Sequence, residues 1–236
     1  MFIHLLILIK VSVIKFLITN TQNFFSESNS HITGSENMEE VICENISKVY
    51  KGKMVIKALD SVNLRVSKGE FFGFLGPNGA SKTTLVRIFT TLLKPSGGYA
   101  WIGGYEVSRD EKEVRRIIGY AGQDSERSAF SRLTVRENLL YFAHALRNIP
   151  KEEVKERIKH IASAIGFEDK LDKHFITLSG GEKQTVIVMR AILHNPEICF
   201  LDEPSKSLDP ITARRVRRFL KDYAREKWYN HLFNIA

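Results

Sequence analysis

Two separated segments carry residue types suited to nucleotide chemistry. Gly76-Pro77-Asn78-Gly79-Ala80-Ser81-Lys82-Thr83-Thr84 follows the apolar run Phe71-Phe72-Gly73-Phe74-Leu75, and Asp202-Glu203-Pro204 follows Ile198-Cys199-Phe200-Leu201. Phe71 to Leu75 reads as a buried strand, and Thr83 to Leu93, with apolar Leu85, Ile88, Phe89 and Leu92, as a helix. The loop between them then sits at a helix N-terminus. There, unpaired backbone N–H groups and the positive end of the helix dipole attract phosphate, and glycines let the backbone come close. Lys82 would reach the β- and γ-phosphates of ATP, Thr83 would hold Mg²⁺, and Thr84 would bond the α-phosphate. The acidic pair would supply carboxylates to that magnesium, so nucleotide hydrolysis is the leading chemistry. The bland alternative for the loop alone is a Gly-rich turn before an amphipathic helix.

One position departs from the strict phosphate-loop pattern, which has glycine where this chain has Ser81. A Cβ and hydroxyl there could crowd the phosphates or distort the turn by about 1–3 kcal/mol. Alternatively, the hydroxyl adds a hydrogen bond to phosphate. The residue type leaves both outcomes open.

Leu178-Ser179-Gly180-Gly181-Glu182-Lys183-Gln184 opens a further helix that should run to about Leu193 and stop at Asn195-Pro196. Alone, Ser-Gly-Gly at a helix start is a common cap. Followed by an Asp-Glu-Pro, it resembles the signature motif of the ATP-binding-cassette family, Leu-Ser-Gly-Gly-Gln or a close variant. The resemblance covers about Glu40 to Glu226. It implies head-to-tail pairing of two cassettes, with Ser179, Gly180 and Gly181 contacting the γ-phosphate of ATP held by the partner's phosphate loop. An isolated subunit should then hydrolyse poorly.

The resemblance assigns further positions, each with a plainer alternative. Tyr50 matches the aromatic that stacks on adenine, although a strand tyrosine is more often simple packing. Gln123, after Ile117-Ile118-Gly119-Tyr120-Ala121, matches the glutamine that reaches Mg²⁺ and the attacking water and senses the membrane partner. By itself it would be a polar loop residue. Asp202 should hold the metal, mostly through water, and Glu203 should act as general base toward the attacking water. Ser207-Leu208-Asp209 matches the loop that communicates across the dimer, with Ser205 and Ser207 standing where Thr and Gly are common.

The elements between these motifs narrow the branch. Thr134-Val135-Arg136-Glu137 forms a capping box opening a helix through about Arg147. Pro150 starts another, whose Val154, Ile158, Ile161 and Ile165 make one apolar stripe before Gly166. This helical insertion between Gln123 and Ser179 has neither the long heptads of chromosome and break-repair ATPases nor zinc-type cysteine pairs. A transporter subunit follows. Gly119-Tyr120, Gln123-Asp124, Leu201-Asp202-Glu203-Pro204 and Leu208-Asp209-Pro210 look most like the multidrug and daunorubicin-resistance exporters.

Both ends differ from the family pattern. Phe2 to Ile18 is strongly apolar but carries His4, Lys10 and Lys15, which fits poorly with a membrane span or a signal peptide. Residues 1–37 are therefore expected to be an upstream extension through a misplaced start before Met38-Glu39-Glu40-Val41, with a membrane anchor as the alternative. Asn20 to Asn37 would be disordered. At the other end the family pattern is followed to Lys227, after which a strand and a histidine that contacts the γ-phosphate are expected. Residues 228–236 diverge, position 236 is Ala, and His231 comes too early to take the role. A frameshift near codon 228 would explain this. The missing strand should leave a gap in the sheet beside the phosphate-loop strand, with Leu232 to Ile235 as partial filler. Low solubility and turnover reduced by about two orders of magnitude are expected.

Composition fits these readings. The 236 residues are 43% apolar, enough for a real core. Cys43 and Cys199 offer no disulfide framework, which suits a reducing compartment. The net charge of +8 is concentrated partly in Arg214, Arg215, Arg217, Arg218, Lys221, Arg225 and Lys227. Such a run is usually a solvated helix face, although it would also suit an anionic lipid surface. Nothing accompanies it that would recognise nucleic acid.

The expected fold is α/β: a P-loop NTPase (RecA-like) core, an antiparallel β-subdomain from about Val41 to Val66, and the helical insertion. The expected function is an ATP-hydrolysing subunit, using ATP and Mg²⁺, at the cytoplasmic face of the membrane. Its partners would be a membrane-spanning permease and a second cassette, with no nucleic acid. Two rivals remain: a cassette that binds nucleotide without efficient turnover, favoured by Ser81 and the absent histidine, and a soluble DNA-associated cassette ATPase.

Overall fold

The structure is a computed structural model that describes residues 4–9, 39–52, 54–68, 71–76, 81–202, 204 and 207–233. Its strands are β1 (His4–Ile9), β2 (Glu39–Lys51), β3 (Val55–Ser67), β4 (Phe71–Gly76), β5 (Gly97–Ile102), β6 (Tyr105–Glu106), β7 (Ile118–Ala121) and β8 (Ile198–Asp202). The helices are α1 (Lys82–Phe89), α2 (Glu111–Ile117), α3 (Val135–Leu140), α4 (Lys151–Ile165), α5 (Gly180–Leu193) and α6 (Pro210–Phe233). The strands form two four-stranded sheets, one ordered β4-β1-β8-β7 and an antiparallel one ordered β3-β2-β5-β6.

β8 links the two hydrophobic cores. All five of its residues are buried, and successive strand residues face opposite sides of the sheet. Ile198 and Phe200 enter a core built from the antiparallel sheet with α1 and α2, where Phe200 lies 6.0 Å from Phe89 between ring centroids. Cys199 and Leu201 enter the other core, with α3 to α6. The two cysteines, both free, therefore belong to different cores.

Gly119 of β7 lets α5 come against the sheet. A Cβ there would lie 2.0 Å from the carbonyl oxygen of Ala191. The helical insertion follows its sequence pattern closely: Val154, Ile158, Ile161 and Ile165 are all buried, and Gly166 ends α4 at φ 70°. On α6, Ala213, Val216, Phe219, Leu220 and Ala224 face inward while Arg214, Arg215, Arg217, Arg218 and Lys221 are exposed. The basic run is a solvated helix face at these five positions.

Several elements differ from expectation, each for a local or long-range reason. α1 stops at Phe89 rather than Leu93, because the Thr90 hydroxyl donates to the Val86 carbonyl at 2.8 Å and Thr91 turns to φ 62°. Leu92 is consequently exposed. α3 keeps its capping box, with the Thr134 N–H donating to Glu137 Oε2 at 2.7 Å and the Glu137 N–H to Thr134 Oγ1 at 3.2 Å. It does not continue as an α-helix to Arg147; from Tyr141 to Ala145 it widens into a π-helical turn, where the Leu146 N–H reaches the Tyr141 carbonyl. The β-subdomain extends beyond Val66, because β5 pairs with β2 and β6 with β5.

The largest difference concerns the slot beside the phosphate-loop strand. Instead of an unfilled edge, β1 occupies it, antiparallel to β4 on one side and to β8 on the other. Residues 4–9, which belong to the stretch expected to be an upstream extension, pair with β4 and β8. Of the expected filler Leu232 to Ile235, Leu232 and Phe233 stay in α6, which is helical to Phe233, and Asn234 and Ile235 lie outside the described residues.

Candidate nucleotide site

The phosphate-loop strand β4 ends at Gly76, and α1 begins at Lys82. Pro77, Asn78, Gly79 and Ala80 lie outside the described residues, as does Glu203. Lys82, Thr83 and Thr84 occupy the first turn of α1, whose leading N–H groups have no partners within the helix. β8 delivers Asp202 to the same end of the sheet. The Thr83 hydroxyl donates to Asp202 Oδ2 at 3.0 Å, across 119 residues of sequence. Asp202 is only 5% exposed.

A hydroxyl and a carboxylate are the hard oxygen donors that magnesium takes, and magnesium completes its shell with water and phosphate oxygens rather than with an all-protein cage. Among the described residues no group of three or more His, Cys, Asp or Glu is placed to hold a metal. Thr83 and Asp202 therefore fit the ion as far as their chemistry goes.

Ser81 caps α1 at φ 56° and ψ 19°, the left-handed region. Glycine adopts this conformation freely, whereas an L-residue with a Cβ pays roughly 1–2 kcal/mol. Its side chain makes no capping hydrogen bond. Ser81→Gly should therefore stabilise the chain by about 0.5–1 kcal/mol, after allowance for the greater freedom of glycine in the unfolded state. Urea unfolding reads this directly. Nucleotide affinity should rise with it, because the loop no longer has to be strained.

A second helix N-terminus is built at the signature segment. Ser179 caps α5: its Oγ accepts from the Glu182 N–H at 3.2 Å, and Glu182 Oε2 accepts from the Ser179 N–H at 2.8 Å. Lys170 reaches Glu182 Oε1 at 3.1 Å. Gly180 faces open space, but a Cβ on Gly181 would lie 2.4 Å from the carbonyl oxygen of Ser207. The signature turn thus packs backbone to backbone on the segment leading to Asp209. Asp209 caps α6, accepting from the Ile211 and Thr212 N–H groups, each at 3.0 Å.

The Ser179 N–H, with Lys170 in support, holds the Glu182 carboxyl below the ordinary glutamate value of 4.5. A depressed carboxyl stabilises the fold above its unfolded pKa and loses that contribution as pH falls through its folded pKa. The α5 cap is therefore intact at neutral pH and weakens only in acid. Glu182→Gln keeps the capping geometry but should remove the acid-dependent rise in amide exchange over the first turn of α5.

Gln123 begins a 3₁₀ turn (Gln123–Ser128) directly after β7, at the same end of the sheet as Asp202, since Ala121 pairs with Leu201. Tyr50 lies far along β2, opposite Ile56; the residue is 42% exposed, and Lys48 Nζ lies 5.5 Å from its ring centroid. The structure thus brings Thr83 and Asp202 together directly. Ser179, Gly181 and Asp209 belong to a second cluster, joined through the backbone at Ser207.

Three residues emerge only in three dimensions. Burial, reinforced by the Asp202 carboxylate, raises the Tyr120 phenol above its usual pKa, which marks Tyr120 as a neighbour of Asp202. Arg190 of α5 donates to the Ser125 carbonyl at 3.0 Å and to Ser128 Oγ at 2.9 Å, and its guanidinium carbon lies 4.3 Å from the Phe142 ring centroid. Burial pushes its pKa down to about 10. Lys170 is the third, through Glu182. Only the Gly-Tyr pair at 119–120 gave a sequence signal.

Comparison with known proteins gives a consistent picture. The pattern of the ABC transporter family matches residues 59–206. The ABC transporter ATP-binding protein NatA of Bacillus subtilis is 36% identical over 177 residues, covering 74% of this chain and 70% of NatA. The phosphonates import ATP-binding protein PhnC of Wolinella succinogenes is 37% identical over 204 residues, covering 81% and 72%. The methionine import ATP-binding protein MetN of Carboxydothermus hydrogenoformans is 36% identical over 186 residues, and the chain spans about half (54%) of its length. Among solved structures, the dimeric post-hydrolysis state of the ATP-binding cassette MJ0796 bound to ADP and Pi superposes with a TM-score of 0.69 at 29% identity, covering 79% of this chain and 84% of that one.

Proposed function

We propose a function from one premise: the chain belongs to the ABC transporter family of ATP-binding proteins. It binds ATP, hydrolyses it, and drives a separate membrane-spanning permease. The observation that carries this reading is the Thr83–Asp202 contact, which joins the head of a phosphate-binding helix to the acidic end of a buried strand. Lys82 and Thr84 take phosphate oxygens, and Thr83, Asp202 and Gln123 hold magnesium, which when bound supplies charge neutralisation on the phosphates. Glu203 takes the proton of the attacking water. Tyr50 stacks on adenine.

The second cluster acts on another copy. Gly180 is open to solvent at a capped helix N-terminus, the arrangement that accepts an anion from outside the chain. Ser179, Gly180 and Gly181 receive the γ-phosphate held by a partner cassette, and Asp209 sets the loop beside them. The dimeric state named for MJ0796 supports this arrangement.

Between the sheet and the helical insertion lies a groove lined by Leu92, Tyr120, Phe142 and Leu146, with Arg115 and Arg147 beside them. Its apolar floor and basic rim suit a cytoplasmic helix of the permease, next to the Gln123 turn. Among the described residues no helix is long and apolar enough to cross a membrane. The export resemblance read from the motifs stands against two relatives named as import proteins, PhnC and MetN. Transport in inverted vesicles carrying the permease determines the direction. The strained Ser81 favours one second reading, slow turnover by an otherwise intact site.

Purified chain should release phosphate from ATP only with Mg²⁺, and Glu203→Gln with ATP should elute as a dimer in size-exclusion chromatography. If Mg²⁺ has no effect on ATP binding or turnover, and Glu203→Gln stays monomeric, the reading is wrong.

A further inference from the structure

We propose that residues 4–9 are a structural strand of the nucleotide-binding sheet, holding the phosphate loop and Asp202 in register with each other. The two halves of the site leave from β4 and β8. Among the described residues these strands share no ladder; β1 pairs with both. On one side the register runs from His4 opposite Gly76 to Ile9 opposite Phe71. On the other it runs from Leu6 opposite Asp202 to Ile9 opposite Cys199. A single segment thus has the first residue of the phosphate loop beside one edge and the metal carboxylate's backbone beside the other.

The backbone argument is one of completeness. A strand bonded on both edges satisfies its own N–H and C=O groups and those of the two strands flanking it. Removing it exposes two facing edges in the middle of a sheet, where buried backbone groups are costly and open edges recruit other chains. The sequence His4-Leu5-Leu6-Ile7-Leu8-Ile9 is an almost unbroken apolar run, the composition of an interior strand rather than of a half-exposed edge. The Thr83–Asp202 bond closes the same span from above, and its 3.0 Å length depends on the spacing that β1 sets between β4 and β8.

The test compares the full chain with a chain starting at Met38 and with Ile7→Pro, which removes a ladder N–H from the strand centre. Both variants should unfold at lower urea than the full chain. Magnesium should strengthen ATP binding at least several-fold less in Ile7→Pro than in the parent, because the metal must be shared across the β4–β8 span. A synthetic peptide of residues 2–11 should restore the midpoint of the Met38 chain, whereas a scrambled one should not. Amide exchange in the intact chain keeps the proposal open to disproof even where a variant fails to fold: residues 5–9 should be as protected as β8. Free exchange there, or equal stability and equal magnesium response in the Met38 chain, overturns it. The nucleotide arm rests on the proposed function, but the exchange and urea arms do not, so failure of one is distinguishable from failure of the other.

Discussion

Asp202→Asn should lower magnesium-dependent ATP turnover by about 100-fold or more while leaving the fold at least as stable as the parent. The side chain is buried and accepts the Thr83 hydroxyl, a contact that an asparagine oxygen preserves. What is lost is the negative charge, which matters to a divalent cation and its phosphates but is costly to hold inside a protein. Function and stability are therefore expected to move in opposite directions. Urea unfolding and a phosphate-release assay on the same preparation measure both. A stability loss parallel to the activity loss would show instead that the carboxylate is mainly a structural anchor for α1.

Gly181→Ala and Gly180→Ala should both reduce turnover, but for different reasons, and their comparison tests the two-copy site. At Gly181 the new methyl would meet the Ser207 carbonyl oxygen at 2.4 Å, a backbone atom that no side-chain rotation can move aside. The first turn of α5 must then separate from the segment leading to Asp209. A displacement of this kind, of roughly an ångström, is enough to cost about 100-fold where geometry is critical. ATP binding to the isolated subunit should survive, because the phosphate loop is built elsewhere. Gly180 has nothing within 4 Å of its Cβ position, so the subunit tolerates Ala there without strain. Turnover should nevertheless fall if a partner's phosphate comes against that backbone. Unchanged turnover in Gly180→Ala would leave α5 with only a structural cap and remove the case for action in trans.

The parts of this molecule that were legible in the sequence are those governed by local hydrogen bonds or by periodicity. The Thr134-x-x-Glu137 box forms the reciprocal contacts its spacing implies, and Ser179, read as a cap, does cap α5. The α4 stripe is buried at each position. The phosphate-loop and acidic motifs predicted that Thr83 and Asp202 would serve one ion; the two side chains lie in hydrogen-bond contact at 3.0 Å. Other features depended on partners distant in the chain. Nothing in an apolar hexapeptide specifies which two strands it enters between, so the placement of β1 was not readable. The widening of the chain after Leu140 occurs where Phe142 lies against Arg190, a long-range contact absent from any local pattern. α1 was read too long because Thr90 and Thr91 resemble ordinary helix residues until a hydroxyl returns to Val86 and the next residue turns left-handed.

Arg190 has a consequence for how such a subunit would transmit force. It rises from the last turn of the helix whose first turn carries the Ser-Gly-Gly segment, grips the turn that starts at Gln123, and rests on the aromatic ring of the helical insertion. Those three pieces are therefore clamped as one body. Any tilt prompted where one copy meets its own nucleotide swings the groups offered to the neighbouring copy by the same rotation, so the two sites of a pair would open and close in step without any relay of side chains between them.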